Sequence, residues 1–212
     1  MQIRELYSHY RKNYPDRTAL IAAVSQGING LLGLGKLGLG LLLSSGWFVA
    51  NAVYYLILFA AKFQILRRYA QVRKTDDPEA RLQLERSTYR RSGGFLLLLG
   101  LSYLNVCLCM FLTGEATAYQ GYIVYLVALV AFIKLGLAIW GNVAARKLHS
   151  PILSSLKILN LTDSTVSIVV TQYTLLSMKQ PSLALQSSSL FGMACSILFM
   201  FAGLFMLRKR RA

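Results

Sequence analysis

The sequence predicts an all-α fold, a bundle of six transmembrane helices with both termini in the cytoplasm. Three observations lead to it. Of the 212 residues, 55% are hydrophobic and 15% are charged, whereas a soluble domain averages about 25% charged residues. The apolar residues form runs long enough to cross a bilayer, and the basic residues cluster beside those runs. The stretches between the runs are too short to form a separate soluble domain.

The six helices are predicted from the apolar runs: Ala19 to Ser44, Trp47 to Leu66, Gly93 to Leu112, Tyr122 to Val143, Pro151 to Met178 and Leu190 to Leu207. The transmembrane domain is therefore 19–207. It is preceded by a cytoplasmic tail (1–18) and followed by a basic cytoplasmic tail (208–212). The charged N-terminal tail is unlike a signal peptide, so the first helix is expected to stay in the mature protein.

The orientation follows from the lysines and arginines. Eighteen of the 23 lie in the two tails and in the loops on their side, and one, Lys179, lies in the opposite loops. This asymmetry predicts cytoplasmic termini. The formal charge of +15 then suits anionic lipid headgroups, and no basic groove interleaved with aromatic residues points to nucleic acid. A bacterial cytoplasmic (inner) membrane is the expected location.

The loop from Arg67 to Arg91 mixes both signs of charge, although basic residues dominate. Its part from Pro78 to Arg90 could form a short amphipathic helix at the membrane surface. Two interpretations stay open for this basic loop, a solvated segment next to the lipid or a docking site for a protein partner.

Asp163 is the only acidic residue within a predicted membrane helix. A carboxylate at membrane depth costs several kcal/mol unless it is paired, protonated or next to a polar cavity. It belongs to a stripe of polar residues spaced three or four apart, which share one helix face: Asn160, Asp163, Ser164, Ser167 and Thr171. This stripe should face the bundle interior, since lipid offers no hydrogen-bond partners.

The second predicted helix has a similar face, formed by Asn51, Tyr54, Tyr55, Leu58 and Lys62. Asn51, Tyr54 and Tyr55 are candidate ligands within the membrane. Lys62 lies near the predicted cytoplasmic end, where its long side chain is expected to snorkel to the headgroups.

Two further lysines lie well inside predicted helices, in the similar pentads KLGLG (36–40) and KLGLA (134–138). This similarity could be the trace of an inverted repeat. Lys36 or Lys134 is the expected partner of Asp163. Such a contact is either an interhelical node that fixes packing or part of a proton or ion relay, and both interpretations stay open.

The sequence favours neither an enzyme nor a resident cofactor. The membrane helices contain no paired carboxylates and no histidine, and the two histidines, His9 and His149, lie outside or at a helix edge. Three cysteines, all in predicted helices, provide no disulfide framework.

Two stretches resemble the cation diffusion facilitator family. KLGLGLLLSSGWFVANAVYYL, from Lys36 to Leu56, is similar to that family's first two membrane helices. SPILSSLKILNLTDSTVS, from Ser150 to Ser167, is similar to its fifth. The resemblance implies six helices, both termini inside, and a homodimer as one possible assembly. It also implies a cation site between the second and fifth helices, with two His or Asp ligands from each.

At those four ligand positions this chain has Tyr54, Leu58, Leu159 and Asp163. Leucine offers no zinc ligand, so no metal site is predicted and the chain resembles a divergent member that has lost most of its ligands. The sequence therefore predicts a small secondary transporter of an ion or solute, working between helices two and five. The alternative is a non-transporting scaffold or regulatory subunit that acts through its basic loop.

Overall fold

The computed structural model is all-helical in the residues it describes, which are 26–27, 30–31, 33–35, 37–38, 41–42, 44, 46–75, 77–114, 122–146 and 151–208. Five helices have defined bounds there: α1 (Gly46–Val72), α2 (Pro78–Thr113), α3 (Ile123–Arg146), α4 (Pro151–Ser177) and α5 (Pro181–Arg208). They correspond to the second to sixth predicted helices. The first predicted helix lies largely outside the described residues, so the prediction of six helices stays a prediction.

Four of these helices, α1, α2, α4 and α5, are long and apolar enough to cross a membrane. A shorter apolar stretch, Val124–Trp140, lies within α3. Large apolar side chains such as Phe132, Leu137, Leu198 and Phe201 are more than half exposed on the outside of the bundle. Apolar exposure on this scale suits contact with lipid. The chain is therefore a multi-pass helical membrane protein.

The two helices flanking the basic loop are longer than predicted. α1 continues to Val72 and α2 begins at Pro78, so only residues 73–77 separate them. Asp77 caps α2, since its carboxylate accepts hydrogen bonds from the backbone N–H groups of Glu79 and Ala80, and proline suits the first helical position. The predicted short amphipathic helix is therefore the first part of α2. At 36 residues that helix is about 54 Å long, well beyond the roughly 30 Å of a hydrocarbon core.

This end of the bundle is called the basic end below. It comprises the 73–77 turn, the adjoining parts of α1 and α2, and the C-terminus of α5. Val72 is buried there and Leu84 and Tyr89 pack against the same core, which explains why helix extends where the charge pattern predicted a loop.

α2 and α5 pack with their backbones close together. A Cβ on Gly93 would lie 2.9 Å from the carbonyl oxygen of Gly203, and one on Gly100 would lie 2.9 Å from that of Ser196. Small residues permit such close approach in membranes, where packing rather than the hydrophobic effect holds helices together.

α4 is the central helix, because it packs against each of the other four. The polar stripe predicted on it points inward: Asp163, Ser164 and Thr171 are buried, and Asn160 and Ser167 are half-buried. Leu159 and Val169, which are not part of the polar stripe, are also buried, since neighbours surround this helix on several sides.

Candidate functional site: an intramembrane ionic cluster

Asp163 lies near the middle of α4 with 4% of its side chain exposed, and both of its carboxylate oxygens are engaged. The Lys62 ammonium donates a hydrogen bond to Oδ2 at 3.2 Å. The Lys134 ammonium donates one to Oδ1, also at 3.2 Å. Charge-assisted bonds of this kind are the strong ones in a medium of low dielectric. We call these three residues the Lys–Asp–Lys cluster.

The cluster joins three helices through one carboxylate. Lys62 comes from α1 and Lys134 from α3, and these two helices do not pack against each other in the described part of the chain. Each lysine instead meets Asp163 on α4. The two lysines differ in exposure, since the side chain of Lys62 is fully buried and that of Lys134 is 37% exposed.

Two serines on the same face of α4 complete the arrangement around Lys134. Its ammonium also donates to Ser167 Oγ at 3.1 Å, and the Ser167 hydroxyl donates to the Asp163 backbone carbonyl at 3.0 Å. The Ser164 hydroxyl is shared between the carbonyl of Asn160 at 2.7 Å and the carbonyl of Lys134 at 3.2 Å. The backbone of α3 is thus tied to α4 at the level of the charges.

The charges of the cluster do not cancel, because it contains two ammonium groups and one carboxylate. At an effective dielectric constant of about 20, two unit charges 4 Å apart interact by about 4 kcal/mol. One lysine is enough to neutralise Asp163. The second adds a positive charge at membrane depth, where charges are costly.

The predicted contact between Lys134 and Asp163 is confirmed. Lys36, the other predicted partner, lies outside the described residues. The prediction that Lys62 snorkels to the headgroups is wrong. α1 runs ten residues beyond Lys62 to Val72 rather than ending at Leu66, which places this lysine about 15 Å from the helix end.

Tyr54 lies on the same face of α1 as Lys62, and 1% of it is exposed. Its ring contacts those of Tyr55 and Tyr103, with centroids 5.5 and 5.4 Å away. Its hydroxyl is buried and has no hydrogen-bond partner among the described residues. A buried hydroxyl without a partner is uncommon in native proteins.

The remaining predicted residues lie outside the cluster. Asn160 contributes its backbone carbonyl, which accepts from Ser164. Asn51 is buried and Tyr55 is half-buried, both towards the opposite end of α1 from the basic end. They lie eleven and seven residues from Lys62 along the chain.

The four positions at which the resemblance implies metal ligands are all buried: Tyr54, Leu58, Leu159 and Asp163. The two leucines fill this part of the core. No group of three or more His, Cys, Asp or Glu side chains that could hold a metal ion occurs in the described part of the chain. The residues present are suited to ammonium–carboxylate chemistry, not to transition-metal coordination.

Comparison of the chain with protein-family models, with curated proteins and with solved structures gives no match. The fold and the site define the class, a multi-pass helical membrane protein with an ionic cluster among its helices.

Proposed function

We propose that this protein is a small secondary transporter, without catalytic chemistry, that moves an ion or small solute between α1 and α4. The observation that carries the proposal is the Lys–Asp–Lys cluster on the central helix. A packing node would need one lysine for one carboxylate. A second ammonium weakens the fold, and intramembrane ionisable groups with no structural need usually mark a transport pathway.

The geometry suggests how binding could be coupled to helix movement. Asp163 holds α1 through Lys62 and α3 through Lys134. A bound ion or solute that changes the charge at Asp163 would weaken both contacts at once. α1 and α3 could then shift separately relative to α4, which is the kind of two-state element that alternating access requires.

The topology, the membrane, the lipid partners and the family resemblance that we propose are inferred from the sequence. It comprises six helices, both termini in the cytoplasm of a bacterial inner membrane, anionic headgroups at the basic end, and divergence from the cation diffusion facilitators. A homodimer is one possible assembly.

Reconstitution in liposomes tests the proposal. Vesicles loaded with a pH-sensitive dye are challenged with ion and solute gradients, and wild type is compared with Asp163→Asn. Lys74→Gln is the matched control, because Lys74 is an exposed lysine beyond the end of α1. We expect flux from wild type and the control, and at least a tenfold loss in a folded Asp163→Asn protein. Equal flux from all three, or none from wild type under every gradient, would refute transport through this cluster.

A second candidate, a scaffold or regulatory subunit, is favoured by the basic end. The exposed side chains there include Arg81, Arg86, Arg90 and the apolar Leu82, which is 47% exposed. For this function, Asp163→Asn should complement a chromosomal deletion as well as wild type does. Replacing Leu82 and Arg86 together by glutamate should abolish complementation.

A further inference from the structure

We infer that the Lys–Asp–Lys cluster is an anion site, and that its ligand is a compact monovalent anion, either a halide or the carboxylate of a small organic acid. The inference deepens the proposed transport function and rests on it, because it assigns the class of solute to the same cluster.

The sign of the charge selects the ligand. The cluster already carries one positive charge in excess. The predicted membrane helices contain four lysines, Lys36, Lys62, Lys134 and Lys157, against the single Asp163. A cation that joined the cluster would raise its charge to +2, whereas one monovalent anion would bring it to zero. Since unbalanced charge is costly in a medium of low dielectric, the cluster favours an anion.

The hydrogen-bond donors at the cluster also favour an anion, because an anion accepts hydrogen bonds. Lys134 presents an ammonium with three N–H donors, of which two are directed to Asp163 Oδ1 and Ser167 Oγ. Tyr54, on the face of α1 that also carries Lys62, adds a buried hydroxyl without a hydrogen-bond partner in the described part of the chain. An anion that accepts hydrogen bonds from Lys134 and from Tyr54 would supply that missing acceptor.

The three residues of the cluster differ in exposure, and one of them, Asp163, is itself an anion that would compete with the ligand. Lys134 is 37% exposed, whereas Lys62 and Asp163 are 0% and 4% exposed, so Lys134 is the member of the cluster whose ammonium a ligand can contact without unpacking the other two. The Asp163 carboxylate already occupies the position such a ligand would take. It therefore acts as an internal anion that the ligand displaces from Lys134, and removal of its charge should tighten binding.

Chloride is the probe for the binding test. The purified full-length protein in detergent is titrated with chloride at constant ionic strength, with a bulky sulfonate buffer anion as the replacing ion, and binding is followed by ³⁵Cl line broadening. We expect saturable broadening in wild type and at least tenfold tighter binding in Asp163→Asn. Lys134→Gln should bind at least tenfold more weakly and Tyr54→Phe several-fold more weakly, while the control Lys74→Gln is unchanged. Acetate competition separates the two sources, because a carboxylate site releases chloride at low acetate concentration and a halide-selective site does not.

A second readout is thermal unfolding, since a ligand that binds the folded state raises its stability. Chloride should raise the melting temperature of Asp163→Asn more than that of wild type, and should leave Lys134→Gln unaffected. Tyr54→Phe removes only one buried oxygen and is expected to fold. It therefore still tests the anion site if Asp163→Asn fails to fold.

The anion site is refuted if neither wild type nor Asp163→Asn binds chloride or acetate. It is also refuted if Lys134→Gln and Tyr54→Phe both bind chloride as tightly as wild type does. Failure of the transport proposal looks different, because chloride would then bind with the expected pattern while vesicles show no flux. Flux that depends on Asp163 but on no anion would leave transport standing and overturn the anion site.

Discussion

Because the Lys–Asp–Lys cluster has one positive charge in excess, Asp163→Asn and Lys62→Met should differ in their effect on the free energy of unfolding. Asp163→Asn removes the carboxylate charge that both Lys62 and Lys134 contact. Removing one partner of a buried pair costs about 3–5 kcal/mol. Lys62→Met keeps a side chain of similar length in a fully buried position and leaves one lysine for one carboxylate. Because the remaining Lys134–Asp163 pair is neutral and leaves no unbalanced charge in the cluster, we expect a change in the free energy of unfolding within about 1 kcal/mol rather than the cost of an uncompensated charge.

The assay is reversible unfolding in mixed detergent micelles, with helicity and tyrosine fluorescence as probes. The double variant Lys62→Met/Asp163→Asn completes a double-mutant cycle, and it should be more stable than Asp163→Asn alone because one repelling ammonium is gone. Lys74→Met controls for the loss of a lysine, since Lys74 is exposed.

If Lys62→Met destabilises as much as Asp163→Asn, the cluster needs both lysines for stability. The second ammonium would then stabilise the fold, contrary to its assignment as an excess charge.

Three further predictions concern the fold around the cluster. Gly93→Ala places a Cβ 2.9 Å from a backbone oxygen of α5, whereas Gly94→Ala meets nothing within 4 Å, so thermal unfolding should show a loss of about 1–3 kcal/mol for the first only. Asp77→Ala removes the cap of α2, and we expect a loss of about 1 kcal/mol with faster hydrogen exchange in the first turn of that helix; unchanged exchange would contradict the capping. Ser164→Ala removes a hydroxyl bonded to α3 and should cost about 1 kcal/mol, whereas Ser187→Ala, whose hydroxyl bonds only within its own helix in the described structure, should cost less; equal losses would show that the contact to α3 adds no stability.

The spacing of the polar residues was enough to predict that Asp163 faces the inside of the bundle. A polar stripe on an apolar membrane helix finds hydrogen-bond partners only there, because lipid offers none. Charge balance narrowed the expected partner to Lys36 or Lys134, since a buried acid needs a buried base, and the contact with Lys134 is present. Both inferences use short-range rules, and the structure bears them out.

The depth of Lys62 in the bundle and the residue at which α2 begins could not be predicted from the sequence pattern. The apolar run of α1 ends near Leu66, but the helix continues to Val72, which is buried in the same core that Leu84 of α2 packs against. The true depth of Lys62 therefore depends on a tertiary contact. The same holds for Tyr54, whose missing hydrogen-bond partner becomes visible only when its neighbours are in place.

The central claim is that the Asp163 carboxylate works in transport and does more than hold helices together. Its most direct measurement is flux in proteoliposomes containing wild type, Asp163→Glu and Asp163→Asn, at equal and verified amounts of folded protein. We expect Asp163→Glu to keep a substantial part of the wild-type flux, because the charge is retained, and Asp163→Asn to lose at least tenfold. Equal flux from folded Asp163→Asn and wild type would contradict the claim.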